Sequence, residues 1–226
     1  MIDTIIVPQG AEYRAVKAGL NKLSATRPLV IDIPIGGKNI EQTLASKNFW
    51  QPKPQQVLMM GLCGSLSPKF SVGEAILYQN CCIQPQKYQA SDRDLNLWLE
   101  RKISSRKTKL PVVSGLTSDR IVTTTEEKRQ FAKRFTASVV DMESYYYLKL
   151  LQEQNVAVSI LRIVSDDVRY DLPNLERAIS KEGKIKPWIM FAQAIEKPLA
   201  SLIFIRGSLK GLQQLKQITT KIFSDR

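Results

Sequence analysis

An α/β fold on a mostly parallel sheet is what the sequence predicts, from three observations. Short β-branched apolar runs alternate with segments of helical periodicity, the pattern of strands separated by helices. Several of those runs stop at glycines or carboxylates, the residues that line the crevice beyond the carboxyl ends of strands in open α/β sheets. With 226 residues, 43% of them hydrophobic and 24% charged, the chain can bury one sizeable core and lacks the composition of a disordered one.

The first run, residues 4–7, predicts a strand that stops at Pro8-Gln9-Gly10, and residues 11–23 carry Val16, Leu20 and Leu23 at helical spacing. The alternation returns as a strand at 29–33, a turn at Gly36-Gly37, a helix from about residue 39 and a strand at 56–60. That strand runs into Gly61-Leu62-Cys63-Gly64, which reads as a tight strand-to-helix turn. Apolar runs at 75–83, 110–113, 138–140 and 156–164 predict further strands, with helices over about 125–134 and 142–154.

From residue 181 to 226 the composition shifts to a basic appendage, with nine Lys and Arg against three acids, half of the net charge of +12. Leu209, Leu212, Leu215, Ile218 and Ile222 step by three and four residues, so this tail predicts an amphipathic helix packed on a domain of residues 1–180. A basic amphipathic segment also suits an anionic membrane surface, or the wall of a site for an apolar substrate.

Composition excludes several chemistries. There is no histidine, so Ser-His-Asp and Cys-His nucleophiles and His-based zinc sites are ruled out. Proton transfer falls to carboxylates, Lys, Tyr or Cys. The three cysteines, Cys63, Cys81 and Cys82, have neither disulfide-framework nor metal-knuckle spacing and fit a reducing cytoplasm. Asp3 stands where a signal peptide needs basic residues, and no apolar run approaches the ~18 residues of a spanning helix. The expected location is therefore cytoplasmic, with peripheral membrane contact through the tail as the variant of that reading. The 33 basic residues against 21 acidic ones favour phosphate, anionic lipid or nucleic acid as partners. Nucleic acid is the weakest of these, because no basic-aromatic platform or reader module is present.

Four strand ends carry candidate chemistry: Gly10-Ala11-Glu12-Tyr13-Arg14, Gly61-Leu62-Cys63-Gly64, Asp141-Met142-Glu143 and Ser165-Asp166-Asp167. Each has an ordinary explanation when taken alone, as a helix cap, a first-turn acid, an ion pair or a tight turn. Several carboxylates converging on one crevice point instead to function, because burying a carboxylate is costly.

In order and spacing these motifs resemble the purine nucleoside phosphorylase and nucleosidase superfamily, which includes methylthioadenosine/S-adenosylhomocysteine nucleosidases and hopanoid-associated nucleoside phosphorylases. The resemblance covers roughly residues 2–172. It rests on the apolar run from Val57 through Gly61-Leu62-Cys63-Gly64 to Val72-Gly73-Glu74, on Val140-Asp141-Met142-Glu143-Ser144, and on Leu161-Arg162-Ile163-Val164-Ser165-Asp166. It implies a three-layer α/β sandwich with a mixed central sheet, a small nucleoside as substrate and homo-oligomeric assembly. It further implies no metal or organic cofactor, with phosphate as a potential co-substrate.

Residue by residue, the resemblance assigns Asp166, rather than Asp167, to protonation of the leaving purine. It assigns Glu143 to the ribose 2′- and 3′-hydroxyls, Met142 to the sugar face, and Cys63, Gly64, Ile121 and Val122 to the base. Glu12 matches the nucleosidase glutamate that activates water, while Gly10 and Arg14 equally resemble a phosphate site, with Gly61 and Leu62 beside either nucleophile. Met59 and Leu62 stand where phosphorylases use an arginine and a serine hydroxyl, and Ile121 where an aromatic is common. Hydrolysis, phosphorolysis and nucleoside binding without turnover therefore all remain open at this point.

Overall fold

The computed structural model describes residues 2–21, 23, 27–37, 40–105, 109–173 and 198–224. Its elements are β1 (Thr4–Pro8), α1 (Ala11–Leu20), β2 (Leu29–Ile33), α2 (Ile40–Ser46), β3 (Gln56–Ser65), β4 (Ala75–Gln84), β5 (Lys87–Ala90) and α3 (Arg93–Ile103). They continue as β6 (Val112–Thr117), α4 (Thr125–Phe135), β7 (Val139–Asp141), α5 (Ser144–Glu153), β8 (Ala157–Asp166) and α6 (Pro198–Phe223).

Parallel pairs join β1 to β2 and β3, β3 to β8, β4 to β6, and β6 to β7. Antiparallel pairs join β3 to β7 and β4 to both β5 and β8. The sheet is thus mixed. The antiparallel pairs close β3, β8, β4, β6 and β7 into a ring, from which β1 and β2 extend as an open wing.

Side-chain alternation along each strand fixes the layers. Ile5 and Val7 of β1 and Leu58 and Met60 of β3 pack with Val16, Leu20, Leu99 and Leu215, which places α1, α3 and α6 on one face. Ile6, Val57 and Met59 pack with Leu44, Tyr147, Leu148 and Leu151, which places α2 and α5 on the other. A smaller cluster under α4 holds Val122, Phe135 and Val140. Helices on both faces of a mixed sheet make three layers.

The sequence expectations differ from the structure at three places. Gly61-Leu62-Cys63-Gly64 is not a turn but the last half of β3, because β3 pairs with β8 residue by residue from Gln56 to Cys63 and again at Gly64. Ladder hydrogen bonds override the local preference of two glycines. β5 and α3 were not expected. Asp92 caps α3 by accepting the Leu95 N–H at 2.8 Å, and Leu95, Leu99 and Ile103 form its buried stripe. β6 starts at Val112 and runs on to Thr117, past the apolar residues at 110–113.

The expected amphipathic helix is present as α6, which packs on α1 and reaches β3 and β8. Residues 181–197 of the tail lie outside the described residues. α6 approaches the sheet at Gly207, where a Cβ would stand 2.2 Å from the Ser165 carbonyl oxygen. Because that neighbour is backbone, Gly207→Ala must push α6 away. The expected cost is about 1–3 kcal/mol, read as a lower urea midpoint at unchanged slope. Among the described residues, no helix is long and apolar enough to cross a membrane.

Candidate active site

The carboxyl ends of β1, β3, β7 and β8 open into one cavity of about 400 Å³, closed on its far side by α6. Glu12, Glu143 and Asp166 all line it. Three acids from distant parts of the chain thus face one hollow.

Its floor is a buried charge cluster around Arg162, which is only 1% exposed. Arg162 stands in register with Gly61 across the β3–β8 pair. Its Nη2 donates to Ser144 Oγ at 2.9 Å and to Glu143 Oε2 at 3.3 Å, and its Nε lies 3.3 Å from Asp141 Oδ2. Asp141 Oδ1 accepts the Thr117 hydroxyl at 2.8 Å and the backbone N–H groups of Glu143 and Ser144 at 3.2 and 3.1 Å. Asp141 thereby caps α5 and sets where Glu143 points. Glu143 Oε1 accepts the Gly36 N–H at 3.0 Å, so the carboxylate is held at both oxygens. Burial raises the Glu143 pKa above the usual carboxylate value, and the Arg162 charge opposes that rise. Among the described residues no group of three or more cysteines or carboxylates is arranged to hold a metal ion. Arg162 fills the place between Asp141 and Glu143 that a cation would take.

Glu12, in the first turn of α1, reaches across to β3, where its Oε1 accepts the Leu62 N–H at 2.7 Å. Burial and the neighbouring Glu143 charge push its carboxyl up to about 8, against the pull of Arg162. A methyl group at Gly61 would stand 2.2 Å from Arg162 Nη1 and 2.9 Å from Glu12 Oε1. Only a glycine leaves room for these two groups to converge. Arg162 Nη1 is buried without a hydrogen-bond partner among the described residues.

Asp166 ends β8 beside Gly64. Its carboxylate pairs with the ammonium of Lys128 and accepts the Ser165 hydroxyl at 3.2 Å. Burial raises its pKa, with Lys128 acting in the opposite direction. The next carboxylate, Asp167, is taken by Arg169, with Nη2 at 2.6 Å, and does not line this cavity.

The sequence model of the phosphorylase superfamily matches residues 7–182, most of the chain. The chain belongs to that superfamily. Among solved structures, its fold is similar to S-adenosylhomocysteine nucleosidase from Streptococcus pyogenes in complex with 5-methylthiotubericidin (TM-score 0.71, 14% identity, 97% of this chain and 94% of that one). It is also similar to 5′-methylthioadenosine/S-adenosyl homocysteine nucleosidase of Helicobacter pylori (0.68, 17%, 95% and 94%). Futalosine hydrolase of the same organism matches as well (0.68, 16%, 97% and 95%). None of the curated proteins matches the chain.

Within this phosphorylase-superfamily fold, the expected base-side residues Cys63, Gly64, Ile121 and Val122 line the cavity, as do Met142 and Leu62. Gly61 lies under it, against Arg162 and Glu12. Gly10 takes a φ of 90° and turns the chain from β1 into α1 without lining the cavity. Arg14 is exposed and also does not line it, so the expected pairing of Gly10 and Arg14 at a nucleophile is not what the structure brings together. Two residues, about 200° around the helix, carry Arg14 off the face that presents Glu12. Met59, weighed against a phosphate-binding arginine, is buried in the core beneath α5.

Sequence reading missed two contributors. Arg162 was quoted only as part of a motif. A charged residue inside the apolar run 156–164 is the signal that marks it, because an unpaired charge is not tolerated there. Lys128 looks like any lysine of a charged helix. Phe204, Ser208 and Leu212 of α6 form one wall of the cavity, which is one of the roles the sequence left open for the tail.

Proposed function

We propose that this chain cleaves the N-glycosidic bond of an adenine-type nucleoside or thionucleoside, with water as the nucleophile. The observation that carries this is the convergence of Glu12, Glu143 and Asp166 on one cavity, with Arg162 between the first two. Departure of a purine leaves a cationic, oxocarbenium-like sugar, and the base must gain a proton as it goes. Glu143, held at both oxygens, receives the ribose hydroxyls and places negative charge beside the developing cation. Asp166 delivers the proton to the base. Glu12 takes a proton from water.

Water is favoured over phosphate by electrostatics. A phosphate dianion would approach the carboxylates of Glu12, Glu143 and Asp166, while Arg120, which lines the cavity, is paired with Glu127 and the buried Arg162 is engaged by Asp141 and Glu143. Arg14 stands outside. Neighbours of the same fold act on 5′-methylthioadenosine, a nucleoside with a thioether at the 5′ side, and the apolar wall of Phe204 and Leu212 suits an apolar 5′ substituent.

Release of adenine from 5′-methylthioadenosine and adenosine, with and without phosphate, tests the reading. Phosphate-independent release supports it; binding without release would leave a nucleoside-binding protein. The Glu12 carboxyl must be ionised to accept a proton, so kcat/KM is expected to rise with pH through about 8. A pH–rate profile that is flat between pH ~6 and ~9 would show that Glu12 is not the base.

A further inference from the structure

Lys128 has no role in the reaction described above, yet its side chain is fully buried and its ammonium touches Asp166 Oδ1. Its second bond runs to the Asp167 carbonyl oxygen at 2.9 Å. It lies behind Asp166 and does not line the cavity. A lysine in water needs no such placement, and burying an ammonium is costly unless a counter-charge meets it. The pairing also poses a chemical problem. Beside an ammonium Asp166 rests as a carboxylate, whereas an acid that protonates a purine must carry a proton.

We propose that Lys128 is the proton store for Asp166: the pair shares one proton, held by the amine in the free protein and passed to the carboxyl when a nucleoside covers it. The charged pair is favoured while water reaches Asp166, whose side chain is 12% exposed. Covering that edge with a purine removes the remaining solvation of the carboxylate and favours the neutral pair, amine beside carboxylic acid. One proton then moves from Lys128 Nζ to Asp166 Oδ1. A turn of the carboxyl presents it to a purine ring nitrogen, and Gly64 leaves that turn free, since a methyl group there would stand 3.1 Å from both oxygens. As the C1′–N9 bond breaks, its electron pair leaves with the purine, which takes the proton and departs neutral. Water adds its oxygen to C1′ and gives a proton to Glu12, and solvent returns that proton to Lys128 after the products leave. Lys128 is thus a positioning residue acting through Asp166.

The charged and titratable groups facing this pair are few. Cys63 approaches from β3 and keeps its thiol, since burial pushes its pKa up. Asp167 is neutralised by Arg169 in the segment after β8. Arg206 and Lys210 of α6 line an adjoining hollow of about 260 Å³ with Asp166, Asp167 and Tyr170.

The inference rests on the N-glycosidase reading, and its test separates the two. The pH dependence of kcat/KM for adenine release from 5′-methylthioadenosine is measured for the wild type, Lys128→Met and Lys128→Arg, with Asp166→Asn as the reference for a lost acid. In the wild type the shared proton should survive above the range of an isolated carboxylic acid, because the pair rather than the carboxyl alone holds it. Lys128→Met leaves Asp166 to hold its proton alone, so the alkaline limb should move down by about one pH unit or more. Lys128→Arg keeps the charge but cannot release a proton, so it should lose about 10²-fold at every pH and be worse than methionine. An unmoved alkaline limb in Lys128→Met, or an arginine variant as active as the wild type, overturns the relay. A wild-type rate that falls before pH ~8 overturns it without any variant having to fold. If the wild type releases no adenine while binding the nucleoside, the functional reading fails and the relay with it. An active wild type with indifferent Lys128 variants sinks the relay alone.

Discussion

Asp166→Asn is expected to lower kcat for adenine release by about 10²–10⁴-fold, the contribution of a positioned general acid. Asparagine has the shape of the carboxyl group and keeps one oxygen for Lys128, while its NH2 replaces the oxygen that accepts the Ser165 hydroxyl and can donate to that hydroxyl instead, so the cavity should hold its form. What it lacks is a transferable proton. KM should change little, because Asp166 acts when the base departs rather than when it binds. Asp167→Asn is the matched control, since that carboxylate serves Arg169 away from the cavity. Loss of activity in both variants, or in neither, would remove Asp166 from the role assigned to it. Steady-state kinetics beside thermal unfolding of each variant gives the comparison.

The second large effect is on stability. Arg162→Met removes the cation that two buried carboxylates share and is expected to cost about 3–5 kcal/mol, a large part of the ~5–15 kcal/mol that holds a domain together. The loss should depend on pH in a definite direction. Without Arg162, Glu143 loses the charge that opposes its burial and binds a proton more readily folded than unfolded, so the penalty is full above its raised folded value and shrinks as pH falls toward the unfolded carboxylate range of about 4. Urea unfolding at pH ~5 and ~8 should therefore show the variant closer to the wild type at the lower pH. Equal penalties at both would mean that the carboxylates find other partners. Activity should vanish as well, since Glu143 loses the donor that holds one of its oxygens.

Much of this site could be read from the chain because its parts sit where strands end. Glu12, Glu143 and Asp166 each follow an apolar run within a few residues, and the crossover geometry of α/β sheets carries such positions to one edge. The glycines of β3 misled at the level of local structure and informed at the level of the site. They are in a strand, but Gly61 clears the approach of Arg162 to Glu12, and Gly64 the approach of Asp166. Arg14 misled for the opposite reason, since proximity to Glu12 in sequence places it on a different side of α1. Lys128 and the close approach of α6 were illegible because both depend on tertiary docking. A lysine beside Glu126 and Glu127 in an exposed-looking helix carries no mark of burial, and Gly207 reveals its purpose only once Ser165 lies against it.

Whether these three carboxylates cut a nucleoside with water is tested most directly by turnover of 5′-methylthioadenosine in phosphate-free water enriched in heavy oxygen, with both products analysed by mass spectrometry. Adenine and a free sugar carrying one heavy oxygen at C1′ are the expected products. A sugar 1-phosphate formed only when phosphate is added, or an intact nucleoside after prolonged incubation, would contradict hydrolysis at this site.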